Sequence, residues 1–499
     1  MGKNMIKSNL DNNPSSGLDV IFNPTSVAVI GASSTFGKWG QRVLVNIVSG
    51  GYKGRVYPVN PREENLCGLP VYKRMQDIPE AVDVAFICTP AKTVPSVLEA
   101  CAESKVKGIV AITSGFRETD TAGKRLEDRI ISICQEKGLI LIGPNTMGII
   151  CPYASLYGMG APGRPKKGPV AFISQSGNLG NQLIHWAEEQ GVGISIFVGS
   201  GNEAMLNMVD YLEYLEKDPH TSIILYYVEY IDKGRRLLDV AKRVNRSKPV
   251  IILKGGRTEA GKVASASHSG SMGGELNTFM GACKQAGLLQ AAVPSELLDL
   301  SAGFSSLPLP KGNRIGIVTL GVGWGVVTAD ECNEKGLIIP SLPDGMIKKI
   351  GQYLPPFWSK GNPVDLVGTE NRDVPLLAVE ELLKWDGIDA VISLGIYGIN
   401  KAVRVMIDTT LQADPSASQE FMDKVEGFNL EYEKQYIHRI VELMEIYEKP
   451  VIGVSLVATK ETVRSVPGKR YKGVFYQSPE SAVNVLARMV SYQQYVAQF

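Results

Sequence analysis

One histidine could carry a transferable group, because almost all of the residues around it in the sequence are small. His268 lies within the segment 264–274, which reads Ala-Ser-Ala-Ser-His-Ser-Gly-Ser-Met-Gly-Gly. A core histidine would stand among apolar residues with a helical or strand period, so this pattern predicts a flexible loop that presents the imidazole. An imidazole presented in this way can accept a group and pass it on. The alternative is an exposed loop histidine without a role.

A second candidate site is a turn that could bind an anion. The apolar run 169–173 leads into Ser174-Gln-Ser-Gly-Asn-Leu-Gly180, and a helix is predicted over 181–190. Small residues at a helix start leave N–H groups free, and the helix dipole favours an anion there by about 0.3–1 kcal/mol. We therefore predict that Ser174, Ser176 and Gly177 bind phosphate. Serine is also a common N-cap, which is the structural alternative.

A carboxylate is expected near the same turn. Glu229 follows the predicted strand 222–228, and ligand-binding groups gather at strand ends in doubly wound sheets. There it could orient one ring nitrogen of His268 and leave the other free to attack. The alternative is a surface ion pair of Glu229 with Arg235 or Arg236.

Composition indicates an ordinary globular protein and argues against several partners. The 52 Lys and Arg residues balance 51 Asp and Glu residues, so no overall field attracts nucleic acid or an anionic membrane. The seven cysteines include no C-x-x-C pair, which favours the reducing cytoplasm and indicates no metal site. Residues 1–16 are polar and resemble a disordered tail rather than a signal peptide. No apolar run is long enough to predict a membrane span.

Alternating strands and helices predict an α/β fold with three doubly wound parallel sheets. At 499 residues the chain is long enough for about three domains. Apolar runs that begin at Val27, Pro169 and Arg314 each open such a series. Breaks rich in Pro and Gly separate the series. The predicted parts are a tail over 1–16, domains over 17–160, 168–306 and 312–499, and an inserted helical segment at about 399–447, whose charge run is typical of a solvated surface.

The first strand ends in a glycine-rich loop, 31–40, that departs from the dinucleotide fingerprint. Ser33 and Phe36 stand at the third and sixth positions, where that fingerprint needs glycine. The second strand ends at Asn60, which lacks the carboxylate that holds an NAD ribose. An NAD-dependent oxidoreductase is therefore disfavoured, while Lys38 and the loop amides still suit a phosphate. A tight strand-to-helix turn without a ligand is the alternative.

Ordered motifs along the chain resemble those of the NDP-forming acyl-CoA synthetases, in the α-subunit type of acetate–CoA ligase within the succinyl-CoA synthetase superfamily. The resemblance runs from about Ser16 to the C-terminus. It implies a Rossmann-like CoA-binding domain followed by two flavodoxin-like domains, of which the first is the ligase domain. The motifs are Val29-Ile-Gly-Ala-Ser33, Gly37-Lys38, Val59-Asn-Pro61, Ile112-Thr-Ser-Gly-Phe116, Gly143-Pro-Asn145, Ser174-Gln-Ser-Gly177, Glu229 and Ser267-His-Ser-Gly270.

The resemblance implies the reaction acyl-CoA + NDP + phosphate = carboxylic acid + CoA + NTP, by way of an acyl phosphate and phosphorylated His268. It also implies that Glu229 supports His268, that Ser176 and Gly177 hold the phosphate, and that Asn145 belongs to the acyl site. The implied CoA contacts are Gly31, Ser33, Gly37, Lys38, Asn60, Pro90 and Ser114.

A partner is implied as well, because the family binds nucleotide and Mg²⁺ on an ATP-grasp module that is not evident in the sequence. We expect a separate ATP-grasp β-subunit and a hetero-oligomer. The alternative is a regulatory protein that binds CoA without catalysis, against which the His268 segment argues. Thr146 stands where succinyl-CoA synthetases have cysteine, and this favours the acetate–CoA ligase branch.

Overall fold

The computed structural model describes residues 17–269, 276–369, 371–455, 457 and 461–499, and side chains within these except at 266–269. The described chain divides into two compact units. The first runs up to Glu188 and continues over Gly193–Ala292, and the second comprises Glu189–Val192 and Val293–Phe499.

The first unit begins with a parallel sheet whose strands are buried on both faces. Its elements are α1 (Leu18–Phe22), β1 (Ser26–Ile30), α2 (Trp39–Ser49), β2 (Arg55–Val59), β3 (Asn65–Leu66), β4 (Leu69–Pro70), β5 (Val84–Ile87), α3 (Val94–Glu103), β6 (Gly108–Ala111), α4 (Thr121–Lys137) and β7 (Ile140–Ile142). The strand order is β2-β1-β5-β6-β7, with β3 and β4 as a separate ribbon. Continuous apolar runs form these strands because helices cover both faces of a parallel sheet.

A second sheet in the same unit has seven strands. Its elements are β8 (Gly148–Cys151), β9 (Leu156–Met159), β10 (Lys167–Ser174), α5 (Gly177–Glu189), β11 (Ile194–Gly199), α6 (Met208–Lys217), β12 (Ile223–Val228), α7 (Gly234–Val244), β13 (Val250–Lys254), α8 (Glu259–Ser269), α9 (Leu276–Gln285) and β14 (Leu289–Ala291). The order is β14-β13-β12-β10-β11-β8-β9. The hairpin β8–β9 joins this sheet antiparallel to β11, so the chain enters the second sheet before 168.

The second unit holds the third sheet. Its elements are α10 (Pro294–Ser306), β15 (Ile315–Thr319), α11 (Val322–Glu334), α12 (Asp344–Gly351), β16 (Val364–Asp365), α13 (Val374–Lys384), β17 (Ala390–Leu394), α14 (Ile399–Ala413), α15 (Gln419–Tyr447), β18 (Val451–Val454), β19 (Val463–Arg464), β20 (Gly473–Tyr476) and α16 (Pro479–Val496). The order is β16-β15-β17-β18-β20-β19, with β19 antiparallel. The two helices α14 and α15 occupy the segment expected to be helical at 399–447.

The prediction of a flexible loop around His268 is wrong for its first part. Residues up to Ser269 form helix α8, and residues 270–274 of the predicted loop lie outside the described residues. The physical reason is composition, since alanine is the best helix former and Ala264 and Ala266 alternate with serines here. Glu259 in the first turn also favours the helix dipole.

Each sheet has a switch point where successive strands leave in opposite directions, and ligands bind outside such points in doubly wound folds. In the first sheet it lies between β1 and β5, in the second between β10 and β12, and in the third between β15 and β17. No helix of the described residues is long and apolar enough to cross a membrane.

Candidate functional site

A cavity of about 440 Å³ in the first unit brings together predicted site residues from three strand ends and one helix start. Five of the residues in its wall are predicted site residues, and they come from segments far apart in the sequence. The five are Pro90, Ser114, Asn145, Ser176 and Gly177. Trp39, Ile112 and Met147 supply an apolar part of the wall. The cavity therefore offers a polar end for an anion and an apolar end for a short carbon chain.

The polar end is the amino terminus of α5. The helix begins at Gly177, so its first two residues, Gly177 and Asn178, and the positive end of its dipole lie at the cavity wall. A Cβ at Gly177 would lie 2.4 Å from Cγ of Met147, so a larger residue there would require the Met147 side chain to move. Ser176 lines the cavity, and its Oγ accepts a hydrogen bond from the Leu179 N–H at 3.4 Å. This geometry suits a phosphate.

Ser174 has a different position from the one predicted. Its side chain is fully buried, and its hydroxyl donates to the Ser176 carbonyl at 2.7 Å. Ser174 does not line the cavity, so it shapes the turn that presents Ser176 and Gly177.

Asn145 is held in the cavity wall by backbone conformation and by a partner. Its φ of 59° is unusual for a residue with a side chain, and its N–H donates to the Thr113 carbonyl at 2.9 Å. Its side-chain amide donates to Oδ1 of Asn202 at 3.3 Å. The next residue, Thr146, is buried, and its hydroxyl accepts a hydrogen bond from the Gly148 N–H at 2.9 Å. Thr146 therefore fixes the loop that carries Asn145.

Glu229 lies next to the turn 174–177, as its place after β12 predicts. Gln175 connects the two, because its Oε1 accepts the Glu229 N–H at 2.6 Å while the residue itself lines the cavity. The Glu229 carboxylate accepts hydrogen bonds from the Tyr227 hydroxyl at 3.2 Å and from the Ser265 hydroxyl at 3.3 Å. Ser265 belongs to helix α8, which also contains His268. The carboxylate thus contacts the helix that carries the histidine.

Arg236 of α7 does not form the alternative ion pair with Glu229, because it pairs with two other carboxylates. The Arg236 guanidinium binds Asp210 and Glu213, at 2.8 Å each. A cation near Glu229 comes instead from Lys254, whose ammonium donates to the Glu229 carbonyl at 2.7 Å. The side chain of His268 lies outside the described residues, so its contact with Glu229 stays a prediction.

A second cavity, of about 880 Å³, lies along the glycine loop of the first sheet. Gly31, Ser33, Lys38, Asn60 and Pro90 line it, whereas Gly37 does not. Gly37 has a φ of 87° and serves the turn, and its N–H donates to Oε1 of Gln41 at 3.2 Å. The Asn60 side chain spans the strand ends, donating to the Ala32 carbonyl at 2.6 Å. Four cations line the same cavity: Lys38, Arg62, Lys73 and Arg74.

A buried polar cluster behind Asn145 was not predicted from the sequence. The amide of Asn202 donates to Glu118 and to Glu127, at 2.7 Å each, and Arg117 approaches Glu127 at 3.5 Å. Burial raises the pKa of Glu127, against the hydrogen bond from Asn202 and the charge of Arg117. Nothing local in the sequence indicates this cluster, because Asn202 and Glu127 are 75 residues apart.

Comparison with known proteins identifies the family. Models described as a CoA binding domain, a succinyl-CoA ligase like flavodoxin domain and a ligase-CoA domain match residues 25–152, 167–304 and 315–415. The α-subunit of acetate–CoA ligase (ADP-forming) II from Pyrococcus furiosus is 41% identical over 378 residues, which are 76% of this chain and 82% of that protein. The chain belongs to the NDP-forming acyl-CoA synthetase family.

Other acyl-CoA synthetases of this family extend the comparison. Acetate–CoA ligase (ADP-forming) I from Archaeoglobus fulgidus is 36% identical over 377 residues, which cover 76% of this chain but 54% of that protein. The dinucleotide forming acetyl-coenzyme A synthetase 1 of Ca. Korarchaeum cryptofilum, solved with phosphate and ADP, matches with a TM-score of 0.80 and 32% identity. That match covers 96% of this chain and 98% of the other. The α/β fold class and the enzyme class, an acid–CoA ligase, are confirmed.

Proposed function

We propose that the chain is the α-subunit of an enzyme that converts acyl-CoA, NDP and phosphate into a carboxylic acid, CoA and NTP. The observation that carries the proposal is that the two cavities are adjacent, because Cys88, Thr89 and Pro90 line both of them. A CoA thioester held in the larger cavity can therefore present its acyl carbon to a phosphate at the start of α5. The matching CoA binding domain model over residues 25–152 supports the choice of CoA.

The larger cavity suits the phosphates of CoA. Lys38 is the N-cap residue of α2, and the ammonium of Lys73 and the guanidinium of Arg62 offer further positive charge along the same wall. Ser33 and Asn60 add polar groups at the strand ends. Ser114 lines the smaller cavity. In the proposed reaction it contacts the thioester end of CoA instead.

The first chemical step takes place in the smaller cavity. A phosphate oxygen attacks the thioester carbon, the C–S bond breaks, and CoA leaves as its thiolate, which takes up a proton. The α5 amino terminus stabilises the phosphate charge, and the side-chain amide of Asn145 is in the wall beside it. The apolar wall residues Trp39 and Met147 favour a short acyl chain such as acetyl.

The second step moves the phosphoryl group to His268. A ring nitrogen of the neutral imidazole attacks phosphorus, the bond from phosphorus to the acyl oxygen breaks, and the carboxylate leaves. Glu229 supports the histidine by accepting a hydrogen bond from its other ring nitrogen, which keeps its proton, so the carboxylate stabilises the positive ring that forms. Ser265 lies three residues before His268 on helix α8, and its hydroxyl donates a hydrogen bond to the Glu229 carboxylate, which supports this role.

A partner completes the transfer to nucleotide. We infer an ATP-grasp β-subunit that holds the nucleotide together with Mg²⁺, which neutralises phosphate charge when bound. The α-subunit name of the Pyrococcus relative and the greater length of the Archaeoglobus relative both support a second component. The reducing cytoplasm is the proposed location, because all seven cysteines are free.

Reconstitution of the chain with a candidate ATP-grasp subunit tests the proposal. Release of CoA from acetyl-CoA over many turnovers should require phosphate and ADP together, and His268→Ala should abolish this continued turnover. The matched control is His438→Ala, which changes an exposed histidine of α15 and should leave the rate unchanged. Binding of CoA without any phosphate-dependent release of thiol would favour the regulatory, non-catalytic alternative.

A further inference from the structure

The second unit contains a cavity of its own, of about 280 Å³, at the switch point of the third sheet. Leu320 follows β15, Ile396 follows β17, and Asn400 lies in the first turn of α14. Tyr432 and Glu433 of α15 close the cavity, so the helical segment after β17 forms one of its walls. Switch points are where ligands bind in this fold class.

An arginine in this cavity is firmly positioned. The Arg372 guanidinium lies over the rings of Phe428 and Tyr432, at 4.6 and 5.2 Å from their centres. Its Nη2 donates to Oδ1 of Asn429 at 3.1 Å, and the Tyr432 hydroxyl donates to the Arg372 carbonyl at 2.9 Å. Three residues of α15 therefore fix the plane of the guanidinium before any ligand arrives.

Polar atoms in the cavity wall lack partners although they are buried from solvent. Nη1 of Arg372 and both amide atoms of Asn400, Nδ2 and Oδ1, have no hydrogen-bond partner in the described chain. Buried polar atoms are normally paired, so three such atoms around one cavity indicate a missing partner. That partner must accept hydrogen bonds from Arg372 Nη1 and Asn400 Nδ2 and donate one to Asn400 Oδ1.

A carboxylate in the same wall balances the arginine. Oε1 of Glu433 accepts the N–H groups of Gly398 and Asn400, at 2.9 and 3.2 Å, so the carboxylate is held against the start of α14. One cation and one anion thus line a small cavity whose other walls include Leu320 and Ile396. Such a site matches a ligand that carries both charges better than a simple anion.

We propose that this cavity binds a small zwitterionic amino acid. Its carboxylate accepts hydrogen bonds from Nη1 of Arg372 and Nδ2 of Asn400, and its ammonium group donates to Oδ1 of Asn400 and to the Glu433 carboxylate. The short carbon chain contacts Leu320 and Ile396. Every residue that lines the cavity belongs to the second unit, so the site is independent of the function proposed for the first unit.

Calorimetric titration of the intact chain tests the site. The probes are L-alanine, β-alanine and 4-aminobutyrate, which vary the spacing between the two charges, with propionate and ethylamine as molecules that carry only one charge. At least one amino acid should bind at least about tenfold more tightly than either of these. Equal binding of propionate, or no binding of any of the three amino acids, would overturn the proposal.

Variants locate the binding. Arg372→Met and Glu433→Gln should each weaken it at least about tenfold. Arg470→Met is the matched control, because Arg470 also stacks on a tyrosine of the second unit, Tyr471 at 4.8 Å, but lies outside the cavity. Thermal unfolding of each variant verifies its fold, and Arg372→Lys repeats the test if Arg372→Met is destabilised. Affinity that is the same in Arg372→Met, Glu433→Gln and the native chain would contradict the site.

Discussion

At the residue scale, we propose that the Glu229 carboxylate prepares His268 for phosphorylation. Glu229→Gln keeps the shape of the side chain and its hydrogen bond from Ser265, but cannot hold a positive imidazole ring. We expect phosphorylation of the histidine to slow by at least about 100-fold, the lower end of a general acid–base contribution, while CoA affinity stays unchanged. Single-turnover labelling and CoA titration measure the two quantities.

Glu213, a carboxylate of helix α6, provides the matched control for that change. Glu213→Gln removes a negative charge that pairs with Arg236 at 2.8 Å. Glu213 does not line the cavity that contains Ser176. Labelling should proceed at the native rate in this variant. Equal slowing in both variants would mean that loss of stability, rather than loss of the Glu229 charge, causes the effect.

One buried carboxyl group near the site makes stability depend on pH. Burial raises the pKa of Glu203 from 4.5 to about 7, although hydrogen bonds from Ser200 and Gln175 lower it. The folded chain therefore binds this proton more tightly than the unfolded chain, so the contribution is fully present below pH 4.5 and is lost as pH rises through 7.

Glu203→Gln should remove this part of the pH dependence. Between pH 5 and pH 7.5, the native chain should lose on the order of 1–3 kcal/mol more stability than the variant. Denaturant unfolding of the first unit at the two pH values measures the difference. Burial also raises the pKa of Asp299, to about 6, so its contribution to stability falls with rising pH in the same way. This contribution is the same in the native chain and the variant, so it cancels in the comparison. Parallel pH profiles would show that Glu203 is ionised in the folded chain.

At the element scale, the glycine loop and α2 must approach each other closely. A Cβ at Gly40, the second residue of α2, would lie 1.9 Å from the Gly31 carbonyl oxygen, which is backbone and cannot move aside cheaply. Gly40→Ala should therefore displace the loop, lower the thermal midpoint and weaken CoA binding by at least about tenfold.

The control for this variant is another helical glycine of the first unit. Gly281 lies in α9, and a Cβ there would meet nothing within 4 Å. Gly281→Ala should leave CoA affinity unchanged and stabilise the chain by roughly 0.5–1 kcal/mol, because alanine loses less backbone entropy. Native CoA affinity in Gly40→Ala would show that the loop does not contact the cofactor.

Most elements of the sheets were predictable because their burial is continuous. The apolar run 169–173 and the predicted strand 222–228 correspond to β10 (Lys167–Ser174) and β12 (Ile223–Val228). Short strands such as β16, with two residues, carry no period and were missed. The hairpin β8–β9 was missed because its pairing with β11 joins segments about 50 residues apart, which local patterns cannot report.

The site was predictable only as far as strand ends and helix starts define it. Ser176, Gly177 and Glu229 follow apolar runs directly, so topology alone brings them together at a switch point. Ser174 was predicted to bind phosphate but is buried behind the cavity wall. The sequence does not show which serine hydroxyl points toward the protein interior. The cavity wall formed by Arg372 and Asn400 depends on contacts of these residues with α15, which lies far from Arg372 in the sequence. No local sequence motif indicates such contacts.

At the scale of the whole molecule, binding of CoA should stabilise one unit and not the other. CoA at 100 times its dissociation constant stabilises the state that binds it by about 2.7 kcal/mol. We expect slower amide hydrogen exchange in β1, β2 and β5 of the first unit, and no change in β15 or β17 of the second. Hydrogen exchange with and without CoA measures this, and protection confined to the second unit would contradict the assignment of the cofactor cavity.

Mapping of the phosphorylated residue tests whether the phosphoryl group passes through His268. The chain and an ATP-grasp partner are incubated with ³²P-labelled ATP, digested and analysed by mass spectrometry under alkaline conditions that preserve phosphohistidine. We expect an acid-labile phosphate on His268 that is discharged by carboxylic acid and CoA. Label on another residue, or turnover without any labelled histidine, would contradict it.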